Sequence, residues 1–414
     1  MLVQFMVKNV LSFKEETVLD MTAINAYKEH ESNLIENGTK EKFLRVAAIY
    51  GANASGKSNL YMAMQYFQKI IAESLNNVDN DSMTAIERYY EPFKFEEKMD
   101  NSEFQIIEII DDYEYKYGFE YNEKHIVAEW LYRKSLKTKR TSPVFERSYN
   151  KVNFGPVVRK ECDLYKNQVP AETLMLSFFN KLRMKTDVFY TVYAGIMDTS
   201  VVPTDFCEDT RVLKAILPRI IDYDKEKLLS FLSAIDTGIR DIGYDKSEKK
   251  VRFFTIHRGK DTNDYPLNLF YESEGTIKSI MLFIYARNAV LNNKSLFIDE
   301  LNAKLHPLLL KFIIDLFYDK DSSAQLIYTT HDTTLMDKRF FRRDQIWFVQ
   351  KDEFGYSQLV ALSDFKVRSD ASFEKDYLAG VYGGIPELRE FALKEGSREN
   401  KENVNLKLLK LIHF

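Results

Sequence analysis

The stretch Gly51-Ala-Asn-Ala-Ser-Gly-Lys-Ser58 decides the fold of this chain. It has the phosphate-binding pattern of a glycine, four residues and Gly-Lys-Ser, in which the glycines let the backbone wrap closely around phosphate oxygens. The apolar run Arg45–Tyr50 before it is typical of a buried parallel strand, and Asn59–Glu73 after it has helical periodicity. A strand, a glycine loop and a helix in this order predict an α/β nucleotide-binding domain rather than a mere glycine-rich turn.

The residue types in this loop each have a chemical reason. Lys57 is placed to reach the β- and γ-phosphates of a nucleotide, and the Ser58 hydroxyl is placed to bind Mg²⁺. The predicted cofactors are therefore ATP and Mg²⁺. The residues that we expect to contact the nucleotide are Gly51, Asn53, Ser55, Gly56, Lys57, Ser58 and Asn59.

Two adjacent acids end a second apolar run, Ser295-Leu-Phe-Ile-Asp299-Glu300. Carboxylates that follow a parallel strand lie at the edge of the sheet where doubly wound folds bind their ligands. Asp299 is the predicted metal ligand, and Glu300 is the predicted general base for an attacking water. An apolar strand followed by two acids is common by itself, so this interpretation depends on the glycine loop.

Two further polar segments complete the pattern. Gln325-Leu-Ile-Tyr-Thr-Thr-His331-Asp332 is another apolar strand, and His331 is placed to hydrogen-bond a γ-phosphate, although a histidine at a strand end is often structural. Glu272-Ser273-Glu-Gly275-Thr276 precedes a helical run. Ser273 and Gly275 there offer free N–H groups to an anion, although a simple helix cap explains the same residues.

The order of these motifs resembles an ABC-type ATPase head of the SMC and RecF group. The resemblance extends to the AAA family ATPase branch of phage-defence and abortive-infection operons, which includes RloA-like ATPases and the ATPase subunit of PARIS-type systems. Val7–Phe13 resembles the strand near the adenine, Leu301–Pro307 resembles the D-loop, and Tyr377–Pro386 resembles a C-terminal segment of the defence ATPases. The signature departs from transporter ATPases because it lacks their Gly-Gly and Gln. Gln105 is the nearest candidate for the glutamine loop.

This resemblance implies an ATP sandwich between two copies of the chain. Ser273 and Gly275 of one copy would face the γ-phosphate that Lys57 of the other copy binds. Lys57, Glu300 and His331 would be the catalytic residues of a slow ATPase whose output is a conformational change. The implied partners are a second copy, or a larger homo-oligomer, and an effector protein such as a nuclease or toxin in antiphage defence.

Two other functions stay open at this point. A RecF-like or SMC-like ATPase of DNA repair or chromosome maintenance would bind nucleic acid, and the basic stretch Lys134–Arg140 is the candidate contact, although it also suits a solvated hairpin tip. A transporter ATPase subunit is the third possibility, and the departure in the signature counts against it.

The predicted fold class is α/β, as an ABC-type P-loop NTPase head with an antiparallel β-meander and a helical insertion. Period-two patterning over Phe104–Arg133 predicts the meander, and alternation also predicts a strand over Leu267–Tyr271. The insertion lacks the sustained heptads of an SMC coiled coil. The predicted divisions are an N-terminal lobe over 1–150, the insertion over 151–245, a C-terminal lobe over 246–393, and a linker with an apolar tail over 394–414. The tail either packs on its own domain or docks a second subunit.

Composition excludes several classes. Hydrophobic residues at 45% and charged residues at 29% of 414 exclude a mainly disordered chain, and a net charge of −4 gives no overall basic field. Cys162 and Cys207 make neither a disulfide framework nor a zinc site. The sequence shows no secretion signal and no apolar run long enough for a bilayer. We therefore expect a soluble, cytoplasmic protein without membrane contact.

Overall fold

The computed structural model describes residues 1–75, 83–97, 100–205, 210–235, 237–247, 250–368 and 371–385. The predicted linker and tail over 394–414, and Cys207, lie outside these ranges. The β-strands of the described chain are β1 Leu2–Lys8, β2 Thr17–Asp20, β3 Leu34–Glu36, β4 Lys42–Leu44, β5 Val46–Gly51, β6 Ser102–Ile110, β7 Tyr113–Tyr121, β8 Ile126–Ser135, β9 Thr141–Ser148, β10 Lys151–Phe154, β11 Ser200–Val202, β12 Ile239–Ser247, β13 Lys250–Arg258, β14 Asp264–Asn268, β15 Ser295–Ile298, β16 Gln325–Thr329, β17 Ile346–Lys351 and β18 Ser357–Ala361. Its α-helices are α1 Lys57–Glu73, α2 Ala85–Arg88, α3 Arg159–Cys162, α4 Met175–Leu182, α5 Val188–Asp198, α6 Thr210–Ala234, α7 Glu274–Asn292, α8 Pro307–Asp315 and α9 Phe373–Leu378.

A parallel sheet forms the centre of the molecule. Its strand order is β11-β15-β16-β5-β17-β18, and every neighbouring pair is parallel except β17 and β18. The residues of β5, β15 and β16 are all buried, which explains why their sequences are apolar runs without alternation. Because these strands are parallel, the segments that follow β5, β15 and β16 all lie at the same edge of the sheet.

An antiparallel sheet of order β10-β9-β8-β7-β6-β1-β2 forms a second layer. The predicted meander is confirmed, since β6, β7 and β8 are consecutive antiparallel neighbours. Helix α1 lies between the two layers, where the ring of Phe67 stacks on Phe119 with centroids 5.7 Å apart and also contacts Phe104 at 5.6 Å. The predicted α/β fold class, with a parallel sheet and an antiparallel meander, is therefore confirmed.

Helices α6, α7 and α8 pack on the other face of the parallel sheet in a second hydrophobic core, whereas α4 and α5 belong to the core around α1. The predicted strand over Leu267–Tyr271 is wrong in its second half. β14 ends at Asn268, whose side chain accepts a hydrogen bond from Phe270 N at 3.0 Å and so begins a 3-10 turn over Leu269–Tyr271. The predicted domain divisions stay predictions.

None of the helices in the described ranges combines the length and the apolar character that a membrane span requires.

Buried polar groups join the antiparallel sheet to the parallel sheet. The amide of Gln325 accepts from Leu2 N at 2.7 Å and donates to Leu2 O at 3.0 Å, so β16 is fixed to β1. It also donates to Leu44 O at 3.1 Å.

The fully buried Arg342 fixes an irregular N-terminal segment to the turn before β17. Its guanidinium forms two parallel hydrogen bonds with Asp344, Nε to Oδ1 at 2.9 Å and Nη2 to Oδ2 at 2.8 Å. The remaining donors bind the carbonyls of Ile24, Tyr27 and Glu29. Because every donor has a partner, the cost of burying this charge is offset.

Replacing Arg342 therefore has a specific expected cost. Arg342→Met leaves the buried Asp344 carboxylate without its cation, and we expect the free energy of unfolding to fall by about 3–5 kcal/mol in urea denaturation. Arg343→Met is the matched control, since Arg343 is partly exposed and lies 3.9 Å from Glu29; its loss should stay below about 1 kcal/mol. Equal losses in the two variants would contradict this account.

Candidate functional site

The loop between β5 and α1 has the backbone geometry of an anion cradle. Ala54 and Gly56 are in left-handed conformations, with φ of 61° and 114°. Gly56 directly precedes α1, so the free N–H groups of the first helical turn and the positive end of the helix dipole face the loop. A Cβ atom at Gly56 would overlap Ser357 Oγ and would lie 2.8 Å from Ser12 Oγ, so only glycine fits there.

Hydroxyl groups hold this loop from behind. Ser357 Oγ donates to the Ser55 carbonyl at 2.6 Å and lies 2.8 Å from Ser12 Oγ. Asn59 Nδ2, in the first turn of α1, donates to Ser12 Oγ at 2.7 Å. The loop is therefore fixed both by the turn after β1 and by the start of β18. Ser357 is a residue that the sequence did not reveal, because a serine at a strand start has no distinctive pattern.

Lys57 is folded back over the loop. Its side chain is buried, and its ammonium donates to the carbonyls of Gly51 at 2.8 Å and Ala52 at 2.9 Å. Burial lowers the pKa of Lys57 to about 8, and the negative charges of Glu300 and Asp299 oppose this shift. The ammonium is thus held at the loop by groups that phosphate oxygens can replace.

The two adjacent acids have different environments. Asp299 is 6% exposed and accepts hydrogen bonds from Thr329 Oγ1 at 2.6 Å and Thr204 Oγ1 at 3.1 Å. The same Thr329 hydroxyl accepts from Glu300 N at 2.7 Å, and Glu300 adopts a left-handed φ of 48°. Asp299 is consequently fixed below the surface while Glu300 faces the site. The sequence did not reveal the roles of Thr204 and Thr329, since both contacts join distant segments.

His331 lies beside Glu300, with 3.5 Å between Nε2 and Oε1. Burial lowers the pKa of His331 and the nearby Lys57 ammonium lowers it further, whereas Glu300 opposes the shift. The imidazole is therefore predominantly neutral at pH 7 and carries one N–H group.

These segments enclose a cavity of about 500 Å³, within the usual range for ligand pockets. It is lined by Asn53, Ala54, Gly56, Lys57, Ser58, Asn59, Glu300, His331 and Lys351. The glycine loop, Glu300 and His331, which are far apart in the sequence, thus meet at one place, whereas Asp299 does not line the cavity. The sequence patterns did not single out Lys351 as a site residue. The signal that could have done so is a lysine at the carboxyl end of a parallel strand, β17.

The predicted signature lies elsewhere, because neither Ser273 nor Gly275 lines this cavity. Ser273 caps α7, with its Oγ accepting from Thr276 N at 3.1 Å. A Cβ atom at Gly275 would lie 3.2 Å from Lys304 O, so this helix start packs closely on the segment that follows Glu300.

Two further residues that the sequence singled out, Glu272 and Gln105, have structural partners. Glu272 accepts hydrogen bonds from Thr255 and lies 2.6 Å from His257 Nε2, which ties the signature segment to β13. Gln105, the candidate for the glutamine loop, lies within β6, accepts from Trp130 Nε1 at 3.3 Å and does not line the cavity.

The residues present fit a nucleoside triphosphate. A loop that excludes Cβ atoms, a helix start and a buried lysine together form a phosphate cradle. Ser58, whose side chain is exposed in the cavity, and Asp299 are the residues that would hold Mg²⁺, because hydroxyl and carboxylate oxygens are ligands that this ion prefers. Fold and site define a P-loop nucleotide-binding protein of the α/β class.

A family model described as "AAA domain, putative AbiEii toxin, Type IV TA system" (AAA_21) matches residues 46–156 and 198–337, which is more than half of the chain. The chain belongs to this family of ATPase domains. The interval between the two matched segments contains α3, α4 and all of α5 except its last residue. No curated protein matches the chain.

Solved structures of SMC heads are similar to this chain at low identity. The SMC head domain from Thermotoga maritima is 14% identical with a TM-score of 0.40, over 87% of this chain and 98% of that one. The SmcHead bound to the C-winged helix domain of ScpA is 14% identical with a TM-score of 0.43, over 90% of this chain and 99% of that one.

The close contacts at Gly56 predict the effect of a single methyl group. Gly56→Ala adds left-handed strain of about 1–2 kcal/mol and overlap with the two serine hydroxyls of about 1–3 kcal/mol to the folded state. Gly38→Ala is the control, because Gly38 has a φ of 75° but no heavy atom lies within 4 Å of where its added methyl group would be, so only the strain applies. Thermal and urea unfolding measure both variants, and equal destabilisation would show that the overlap does not matter.

Proposed function

We propose that this chain is an ATP-binding and ATP-hydrolysing switch of the ABC type, similar to SMC and RecF heads, which controls a partner effector in antiphage defence. One observation carries the proposal: the glycine loop, Glu300 and His331 line a single cavity, whereas Ser273 and Gly275 do not. A nucleotide in this cavity is therefore surrounded by the hydrolytic groups of its own chain but lacks the signature contacts.

The site geometry supports a division of roles among the acids. Glu300 faces the cavity 3.5 Å from His331, which suits a general base that accepts a proton from water. Asp299 is held by two threonine hydroxyls, which suits a fixed ligand for Mg²⁺ together with Ser58. Lys57 and the N–H group of His331 would stabilise negative charge on the γ-phosphate. Mg²⁺, when bound, would neutralise phosphate charge.

A second copy of the chain would supply the signature. Each chain has one glycine loop and one Ser273–Thr276 segment, and the latter presents a helix start at the surface. If Ser273 and Gly275 of one copy contact the γ-phosphate bound by the other, ATP stabilises the closed dimer and hydrolysis releases it. ATP then acts as a switch because the γ-phosphate makes contacts in only one of two states. Slow turnover is the expected consequence.

The dimer model is tested by the native mass of the Glu300→Gln protein, measured by light scattering with and without Mg-ATP. Without the general base, ATP should persist and the mass should double. The double variant Glu300→Gln, Lys57→Ala is the control. Its mass should stay at that of one chain, because it lacks the Lys57 ammonium that would contact the phosphates. A mass fixed at one chain with ATP demonstrably bound would eliminate the sandwich, and a fixed multimer would mean that ATP acts within a standing assembly.

The defence role is supported by the family description, which refers to a toxin and a type IV toxin–antitoxin system. The motif order resembles RloA-like ATPases and the ATPase subunit of PARIS-type systems, which suggests an effector, such as a nuclease or toxin, encoded nearby. In this proposal the chain is the sensor and scaffold that holds the effector until infection.

A strain that carries the gene with its neighbours should lose protection against phage when Lys57 is replaced by Ala. Lys69→Ala is the matched control on the same helix, since Lys69 contacts Gln65 at 3.1 Å and Tyr89 rather than the cavity. Plaque counts on the two strains measure the effect. Undiminished protection with Lys57→Ala would refute a role for ATP binding in defence.

No contact in the described part of the chain supports the alternative function, a RecF-like DNA-binding ATPase. Its candidate surface is the end of β8 and the turn that leads to β9. Lys134 in β8 pairs with Glu114 at 3.1 Å, and Lys137 in the turn pairs with Asp112 at 3.0 Å. These pairs neutralise part of the basic charge that DNA phosphates would require.

A further inference from the structure

A second cavity, of about 480 Å³, lies at the opposite edge of the parallel sheet from the glycine loop. It is lined by Asn37 after β3, Glu108 of β6, Gly195 of α5, and Lys294 and Ser295 at the start of β15. Because β15 and β5 run in the same direction, the start of β15 and the end of β5 are at different edges of the sheet. This cavity is therefore separate from the nucleotide site.

Glu108 is the unusual member of this cavity. Its side chain is 4% exposed, and its carboxylate has no hydrogen-bond partner among the described residues. Burial raises the pKa of Glu108 to about 7, the charge of Asp198 adds to the shift, and the amino group of Met1 opposes it. A buried carboxylate without a donor is costly, and a ligand that supplies a donor offsets this cost when it binds.

Two other residues of the cavity lining, Asn37 and Gly195, are also unusual. Asn37 Nδ2 is buried without an acceptor, although Asn37 Oδ1 accepts from Thr39. A Cβ atom at Gly195 would overlap Ile110 Cδ1 and would lie 3.1 Å from Glu108 Oε2, so glycine keeps the space beside the carboxylate open. The Glu108 carboxylate is thus an unused acceptor beside open space in the cavity.

The charges around the cavity favour a cation. Besides Glu108, the charged groups on its lining are Glu36, Asp111, Asp198, Lys294 and the amino group of Met1. Lys294 is already paired with Asp198 at 2.6 Å, Glu36 is paired with Lys42 at 2.7 Å, and the Met1 amino group donates to Ile109 O at 3.0 Å. The lining has four carboxylates and two cations, and this excess of acidic groups favours a cationic ligand.

We propose that this cavity binds a small organic cation of the amine or guanidine class. The N–H groups of the cation donate to the Glu108 carboxylate. The cavity volume suits a molecule of this size. The inference is independent of the proposed ATP switch, because none of its residues lines the nucleotide cavity.

Titration calorimetry with agmatine and with spermidine tests the proposal, and tetramethylammonium serves as a cation without N–H groups. We expect agmatine or spermidine to bind the wild-type chain, and tetramethylammonium to bind at least about tenfold more weakly. Glu108→Gln should weaken binding by about 10- to 100-fold, because it removes a charge-assisted hydrogen bond. Glu103→Gln, on the same strand but outside the cavity, should leave binding unchanged.

The pH dependence provides a second readout. The cation needs the ionised carboxylate, so binding competes with the proton of Glu108. With the pKa near 7, the association constant for agmatine, which stays cationic over this range, should rise about tenfold from pH 6 to pH 8. Glu108→Gln should abolish this rise. Because this variant replaces a buried acid by a neutral side chain of the same shape, its unfolding midpoint should not fall.

Three results would overturn the proposal. The first is that neither agmatine nor spermidine binds the wild-type chain at millimolar concentration. The second is equal affinity in the wild type and Glu108→Gln, and the third is tetramethylammonium binding as tightly as agmatine. None of these readouts depends on ATP, so failure here and failure of the proposed switch are distinguishable.

Discussion

The phosphate loop depends on the absence of a side chain at Gly56, where the hydroxyls of Ser12 and Ser357 close in from two different sheets. Ser12 belongs to the turn after β1 of the antiparallel sheet, and Ser357 begins β18 of the parallel sheet. Their contacts with the loop fix the point at which α1 starts. Since α1 is the helix between the two sheets, with Phe67 packed among the rings of the meander, this constraint determines how the layers meet as well as how the loop is shaped. The same close packing that excludes a Cβ atom is what lets backbone N–H groups approach a phosphate.

Strand order explains the environment of the acidic pair. β16 lies between β5 and β15, so its last residue, Thr329, is placed between the phosphate loop and the acids that follow β15. One hydroxyl at this position donates to Asp299 and accepts from the backbone of Glu300. Two adjacent carboxylates thereby acquire different surroundings, one buried and hydrogen-bonded and the other open to the cavity. Such a difference is what allows neighbouring acids to serve as a fixed metal ligand and as a proton acceptor.

The sequence predicted those parts of the site that have local patterns. Gly51–Ser58, Asp299, Glu300 and His331 each follow an apolar run, and the shared edge of a parallel sheet then brings them together without further information. Thr204, Lys351 and Ser357 could not be found in this way, because their contacts join segments that are distant in the chain. The strand predicted over Leu267–Tyr271 ends early, at Asn268. The alternation of apolar residues indicates which side chains are buried, but it does not show that the Asn268 side chain hydrogen-bonds the backbone and starts a turn.

Hydrogen-bond satisfaction separates the structural polar groups of this chain from those that are available to a ligand. Gln325 is fully buried, yet its amide accepts from Leu2 N and Ser295 Oγ and donates to two carbonyls, so its polar capacity is used in joining the sheets. The Lys57 ammonium also has hydrogen-bond partners, but these are carbonyl groups of the loop itself. An anionic phosphate binds an ammonium more strongly than a carbonyl does, so it can replace them at little cost. The Glu108 carboxylate differs from both: it lines the same cavity as Ser295 and has no hydrogen-bond donor in the described residues. Because buried carboxylates are stable only with a proton or a donor, the difference between Gln325 and Glu108 is a difference between a completed contact and one that a ligand completes.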